Sequence, residues 1–275
     1  MSVLLLVALL LLPVPPGPWR AFLPVVRARE VDRVGLFADT QSQAFDVQVK
    51  IIEHLVEMDA EWMIGAGDII SAQGCATAAC VDERWQAEME VLAPLAELHL
   101  APGNHDYDLE AGVAAWEAWV GPRYHSFESR YACFFLVDDQ VWDEEQAAWL
   151  KTAVDECERP WRILVKHVPM AHGATVAWYE ERYPERYEAL DVDVVISGHR
   201  HCIAAWEDGG RLNLVLPAAS ATRVWEPYPV QAERAITPLP VPALGYGELA
   251  ITAERLDWWL YREDGLVLLE GGYGR

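Results

Sequence analysis

Positive charge is scarce in this chain of 275 residues: 21 lysines and arginines stand against 43 aspartates and glutamates, a formal net charge of −22. A surface of that sign repels nucleic-acid phosphates and anionic lipid headgroups, so neither is an expected partner. Paired Cys-x-x-Cys units are missing too. The cysteines, Cys75, Cys80, Cys133, Cys157 and Cys202, do not have the spacing of a zinc framework. Cys75 and Cys80 flank a loop of small residues and can close a short disulfide if the chain is exported. Cys133 and Cys202 lie in apolar surroundings, where thiols buried as small hydrophobes are expected. Internal repeats are absent, and no apolar stretch beyond the first residues is long enough for a transmembrane helix.

What the chain does have begins with a leucine-rich run through Leu12, followed by Pro13, Pro15, Pro16 and Pro18. The run is short for a bilayer span and fits the apolar region of a secretory signal, although no basic residue precedes it and no small-x-small cleavage site follows. Residues 1–27 are therefore expected to be a signal peptide or apolar leader, and 28–275 a single domain. Export to the periplasm or beyond is the expectation, with no membrane span after leader removal. A cytoplasmic protein with an apolar leader is the alternative. Apolar residues make up 52% of the chain, enough for a core that does not depend on disulfides or metals.

From residue 31 onward, short apolar runs alternate with helical patterns. Residues 34–38 stop at Asp39, 62–66 at Gly67-Asp68, and 98–101 at Pro102-Gly103-Asn104-His105. Residues 161–165 run into Lys166-His167, and 192–196 into Ser197-Gly198-His199. Helices are expected over 44–58, over 84–98 with Pro94 as a break, and over 143–154; further strands are expected at 131–137, 212–216, 247–252 and 256–261. In open α/β sheets, ligand sites lie beyond the carboxyl ends of strands. Five runs ending on metal-capable or hydrogen-bonding residues would converge in one crevice. Helices early and strands late suggest two packed sheets with helices outside.

The candidate ligands in chain order are Asp39, Asp68, Asn104, His167, His199 and His201. Carboxylate, amide oxygen and imidazole together suit divalent or trivalent manganese, iron or zinc. A carboxylate can bridge two such ions, and a pair about 3.5–4 Å apart can clamp the attacking and leaving oxygens of a phosphoryl displacement, with a metal-bridging hydroxide as nucleophile. His105 is placed to protonate the departing alkoxide, with Asp106 orienting the imidazole. Arg200, between two ligands, can steer a phosphate oxygen or point to solvent. His125 and His172 fall in loops that border the site, as readily solvated residues as substrate contacts. His54 and His99 are expected to have no role, and Asp138-Asp139 is expected to be a turn.

The blocks Asp39-x-Gln41, Gly67-Asp68, Gly103-Asn104-His105-Asp106, the lone His167 and Gly198-His199-Arg200-His201 resemble those of the calcineurin-like metallophosphoesterases. The likeness runs from residue 31 to the C-terminus. Tyr124-His125-Ser126-Phe127, Glu145-Gln146 before Trp149-Leu150, and Pro160-Trp161-Arg162 further resemble the purple acid phosphatase-like branch. The resemblance implies an α/β fold, a four-layer α/β/β/α sandwich, around a dinuclear centre that hydrolyses a phosphomonoester or phosphodiester. Asp39 and His201 would bind the first ion and Asp68 would bridge, with the Gln41 carbonyl oxygen as a further metal ligand weaker than imidazole, so that the first ion is expected to bind loosely or exchange. Asn104, His167 and His199 would bind the second, with His105 as general acid and Asn104, Arg200 and His172 toward a small phosphate-ester substrate. Two departures stand out. Gln41 occupies a position where most members have histidine, and Ser71 stands where the purple enzymes have tyrosine. A fold of this family that binds a ligand without turnover is the alternative, and Gln41 favours it.

Overall fold

The structure is a computed structural model that describes residues 30–41, 44–107, 112–170, 184–187, 189–222, 232–237 and 240–274. The leader at 1–27 and His172 lie outside the described residues. Strands are numbered in chain order. The first sheet holds β1 (Asp32–Phe37), β2 (Trp62–Ala66), β3 (Leu98–Ala101), β12 (Gly245–Ile251), β13 (Arg255–Arg262) and β14 (Val267–Gly274), in the order β14-β13-β12-β1-β2-β3. The second holds β4 (His125–Glu128), β5 (Ala132–Leu136), β6 (Trp161–Val165), β7 (Val194–Ser197), β8 (Cys202–Asp208), β9 (Arg211–Val215) and β10 (Arg234–Ala235), in the order β10-β8-β9-β7-β6-β5-β4; β11 (Val241–Pro242) pairs with β8. Strands β1, β2 and β3 are mutually parallel, as are β5, β6, β7 and β9. Parallel strands are buried on both faces, which explains why β1, β2, β6 and β7 read in the sequence as near-continuous apolar runs.

Alternate residues of each strand serve two different cores. Val34, Leu36 and Ile64 of the first sheet and Phe134, Ile163, Val165 and Ile196 of the second face one another in the central core. The opposite faces bury under helices. Phe37, Met63 and Leu100 pack on Ile51, Leu55, Trp85 and Trp116 of α1 (Phe45–Glu57), α2 (Ala78–Leu92) and α3 (Gly112–Trp119). Phe135, Leu164 and Val195 pack under Leu150 and Val154 of α4 (Glu144–Asp155). The result is the expected α/β/β/α sandwich. Full burial of each large aliphatic side chain contributes about 1.5–3 kcal/mol. Trp161 adds a polar stitch between the sheets, its indole N–H donating to the Thr252 carbonyl at 2.7 Å.

Local chemistry sets the helix limits. The Asp143 side chain caps α4 by accepting from the Gln146 amide at 2.8 Å, with Glu144 and Glu145 in the first turn near the positive end of the helix dipole. In α2 the Thr77 hydroxyl accepts from the Cys80 amide, so the helix starts at Ala78, earlier than expected, and stops at Leu92 short of Pro94. Cys75 and Cys80 form a disulfide. Cys133 is not the thiol expected from its apolar surroundings: it is bonded to Cys157, which follows α4 and packs on the strand face that carries Cys133. Cys202 is a buried free thiol.

Candidate metal centre

Five parallel strand ends open toward the same place. Asp39 follows β1 by two residues, Asp68 follows β2, Asn104 follows β3, His167 follows β6 and His199 follows β7, while His201 precedes β8. Asp39, Asp68, His167, His199 and His201 are all buried. The backbone marks the same residues. Among the described residues, the non-glycine positions with positive φ are Asp39, Gln41, Asp59, Asp68, His199 and His201. Five of these six are residues the sequence singles out. Left-handed backbone costs energy for residues with a Cβ and concentrates where function demands a particular side-chain direction. Gly67 is required for the same convergence: at φ +86°, a Cβ there would meet the His167 ring at 2.5 Å.

One half of the centre is compact. Oxygen and nitrogen atoms of Asp68, His167 and His199 lie within 4.8 Å of one another. His167 Nε2 is 3.2 Å from Asp68 Oδ2 and 3.2 Å from His199 Nδ1. Its other nitrogen, Nδ1, is 2.8 Å from the Ala66 carbonyl, which fixes the ring so that Nε2 faces the cluster. Asn104 Oδ1 is buried and has no hydrogen-bond partner. The loop that carries Asn104 abuts Asp68 on both sides of it, through the Gly103 backbone and the His105 N–H, and a buried carbonyl oxygen without a partner is a group that a cation can satisfy.

The electrostatics agree. Burial alone would lower the His167 pKa, but the charge and hydrogen bond of Asp68, with Asp39 behind it, raise it to about 10. Burial would raise Asp68, yet His167, with His105 and His199 adding to it, holds that carboxylate below its ordinary range. Burial and then the neighbouring His167 push His199 well below the usual histidine value. A field that binds a proton this strongly on one imidazole would stabilise a metal cation in the same place.

The other half is arranged differently. Asp39 accepts the His199 backbone N–H, at 3.1 Å on Oδ1 and 2.9 Å on Oδ2, and its Oδ1 lies 3.3 Å from His201 Nε2. Gln41, expected to be a ligand, turns its amide nitrogen to Asp68 Oδ2 at 2.8 Å. Its amide N–H donates to the Asp68 carboxylate.

The remaining candidates divide. The His105 backbone N–H donates to Asp68 Oδ1 at 2.8 Å, and its ring charge acts on Asp68, so the side chain borders the cluster. Asp106 was expected to orient that ring. Instead its fully buried carboxylate accepts three backbone N–H groups, from Asp68, Ile70 and Gly103, at 3.1, 2.9 and 2.7 Å. It ties the loop after β2 to the loop after β3, a structural task that leaves both oxygens engaged. Arg200 is half-buried and its charge acts on His199. His125 lies in β4 and not in a loop: its Nε2 is 3.2 Å from His99 Nδ1, joining edge strands of the two sheets. His54 stacks on Tyr246.

One functional support was not legible in the sequence. Asp139 and Lys166 form an ion pair at 3.1 Å with both side chains fully buried. Asp139 also accepts the Val168 backbone N–H at 2.8 Å, so it grips the residues on either side of His167. The Lys166 ammonium reaches the Val168 carbonyl and lies over the Tyr187 ring. A lysine next to a histidine at a strand end is the only signal the sequence offers for this.

Two packed sheets under helices, with carboxylates and imidazoles gathered at parallel strand ends, define a metallophosphatase-type fold with a candidate metal cluster. The family model described as calcineurin-like phosphoesterase matches residues 32–202, and the chain belongs to that family. Among solved structures, a purple acid phosphatase from yellow lupin (Lupinus luteus) seeds is similar over 89% of this chain and 54% of its own, at 17% identity and a TM-score of 0.70. The chain thus spans about half the length of the lupin enzyme. A dimetal phosphatase from Danio rerio is similar over 90% of this chain and 99% of its own, at 13% identity and a TM-score of 0.66. GAP50, the anchor in the inner membrane complex of Plasmodium, matches over 90% and 89%, at 12% identity and a TM-score of 0.71. These likenesses are of fold. No curated protein matches the chain. No helix among the described residues is long and apolar enough to cross a membrane.

Proposed function

We propose that the chain is a metal-dependent hydrolase of a small phosphomonoester or phosphodiester. The observation that carries this is the close-packed group Asp68, His167 and His199, to which the buried, unpartnered oxygen of Asn104 would add a fourth donor. Those four residues would hold one ion, and Asp39 and His201 would hold another, with Asp68 shared between the two. Manganese, iron or zinc held there supplies Lewis acidity and lowers the pKa of a coordinated water toward neutrality. The protein's own contribution is orientation. The Ala66 carbonyl and the Asp139–Lys166 pair set His167, the Asp106 carboxylate sets the two loops that carry Asp68 and Asn104, and His105 stands at the rim to give its proton to the leaving alkoxide. Arg200 is the nearby cation for a phosphate oxygen. In so acidic a protein, attraction of an anionic substrate falls to such local cations and to bound metal.

The test pairs metal content by elemental mass spectrometry with turnover of aryl phosphate mono- and diesters. Bound metal with activity that Asp68→Asn abolishes supports the proposal; metal with no turnover of either ester class rejects it. His105→Ala should slow esters with poor leaving groups more than aryl esters, because a phenolate needs a proton less. Equal slowing would remove His105 from the general-acid role.

A second reading, binding without turnover, is favoured by the Gln41 contact to Asp68. GAP50, the anchor in the inner membrane complex of Plasmodium, has a similar fold. It predicts metal binding with no hydrolysis. We also propose export, which the disulfides Cys75–Cys80 and Cys133–Cys157 support, since such bonds persist in oxidising compartments.

A further inference from the structure

The shared carboxylate has few lone pairs left to give. Asp68 Oδ1 accepts the His105 backbone N–H at 2.8 Å. Its Oδ2 faces His167 Nε2 at 3.2 Å on one side and accepts the Gln41 amide N–H at 2.8 Å on the other. A carboxylate that bridges two ions must direct an oxygen lone pair at each. Both neighbours of Oδ2 are nitrogens, but the His167 imidazole can give up its proton and turn a lone pair to a cation, whereas the Gln41 amide nitrogen cannot.

Gln41 is buried and held in left-handed backbone at φ 44°, a short segment beyond Asp39. Its backbone N–H is 3.3 Å from the Asp68 carbonyl and 3.2 Å from that of Ile69, so the main chain is pinned against the loop that follows β2. With the main chain held, the side chain offers an oxygen to an arriving ion by turning its amide over. That rotation breaks the bond to Asp68 and offers a neutral carbonyl oxygen, a poorer donor to a first-row transition ion than imidazole. Asp39 is also partly satisfied without metal, by the His199 N–H and by His201.

Resting on the proposed metal-dependent reading, we infer that the centre is unequal by construction. One ion is held tightly by Asp68, Asn104, His167 and His199, and Gln41 makes the Asp39–His201 half a weak site that fills only at higher metal concentration. Gln41 is thus a hydrogen-bond donor to the shared carboxylate and the residue that sets how many ions the resting protein carries.

The experiment is titration of manganese(II) into the metal-free full-length chain, followed by calorimetry and by electron paramagnetic resonance. The wild-type chain should take up one tight ion with the six-line signal of isolated manganese, and a second roughly 10–100-fold more weakly, the scale on which altered surroundings change metal affinity. In Gln41→His the second ion should bind with affinity close to the first and produce the spectrum of a coupled pair. Gln41→Glu, which exchanges the amide for a carboxylate, should move the second affinity the same way and covers the case in which the histidine variant does not fold. Two equally tight ions in the wild-type chain overturn the inference, as does a second site left weak in a folded variant. A wild-type chain that binds no manganese, iron or zinc at all overturns the metal-dependent reading itself, and this inference with it.

Discussion

The two halves of the centre share a fold, a carboxylate and the same left-handed backbone, yet they differ in how complete they are. On the Asp68, His167 and His199 side, three ligand atoms lie within 4.8 Å of one another and Asn104 adds an oxygen with no other partner. On the Asp39 and His201 side, the third expected ligand, Gln41, spends its side chain on Asp68. The backbone geometry survives in both halves: Asp39, Gln41 and His201 have positive φ just as Asp68 and His199 do. The left-handed backbone is thus common to both groups of residues, and what differs is where their side chains turn.

The comparison breaks most sharply by removing one imidazole from each half. His199→Ala should strip the tight ion and lower phosphoester turnover by roughly 10³-fold, the several kcal/mol that a metal's charge stabilisation is worth. His201→Ala should leave the tight ion in place by elemental analysis and lower turnover by about 10–100-fold. Equal metal loss in the two variants would show that the halves are not distinct.

Support for the compact half comes from the second sheet, and breaking that support should cost stability. Asp139→Ala leaves the buried Lys166 ammonium without its carboxylate, a loss of about 3–5 kcal/mol measurable by urea denaturation. A cost under about 1 kcal/mol would mean that the pair is not what holds the chain around His167. On the first sheet, Gly67→Ala sets a Cβ against the His167 ring in left-handed backbone and should cost about 2–3 kcal/mol. Added metal should recover part of that only if the ring can still reach its place.

The strands that carry the ligands were legible because parallel strands bury both faces and read as apolar runs that stop at a polar residue; β2, β3 and β6 fall where the runs do. The strands and helix that carry no ligand were harder. Strand β14 contains Gly271, Gly272 and Gly274, which read as turn formers, and α3 opens on Gly112 and has only eight residues. The partner of Cys133 is 24 positions away and is chosen by how α4 lies on the sheet, which spacing does not encode. The site shows the same boundary. Residue types gave a candidate ligand set, of which Asp68, His167 and His199 are brought together, but side-chain direction did not follow from them. Asp106 turned to three backbone amides, Gln41 to a carboxylate, and Asp139, read as a turn, to a buried lysine.

The smallest expected effect lies outside both halves and serves as their control. His99 on β3 and His125 on β4 join edge strands of the two sheets through a 3.2 Å ring contact, and His99 stacks on Phe127. Burial, and then the neighbouring His99, lower the His125 pKa to about 4, and burial lowers His99 as well. A histidine depressed in the folded state binds protons more readily when unfolded. Its contribution is intact above the unfolded value of about 6.5 and is lost as pH falls through the folded value near 4. Allowing for partial exposure, the loss should be about 1–2 kcal/mol between those limits. In metal-free protein, His125→Phe should flatten the pH dependence of the melting temperature over that window while leaving manganese stoichiometry unchanged. If the variant melts with the same acid slope as the wild-type chain, the seam between the sheets is not where acid acts. The titrating groups would then be those of the centre itself, where a bound ion should suppress the slope.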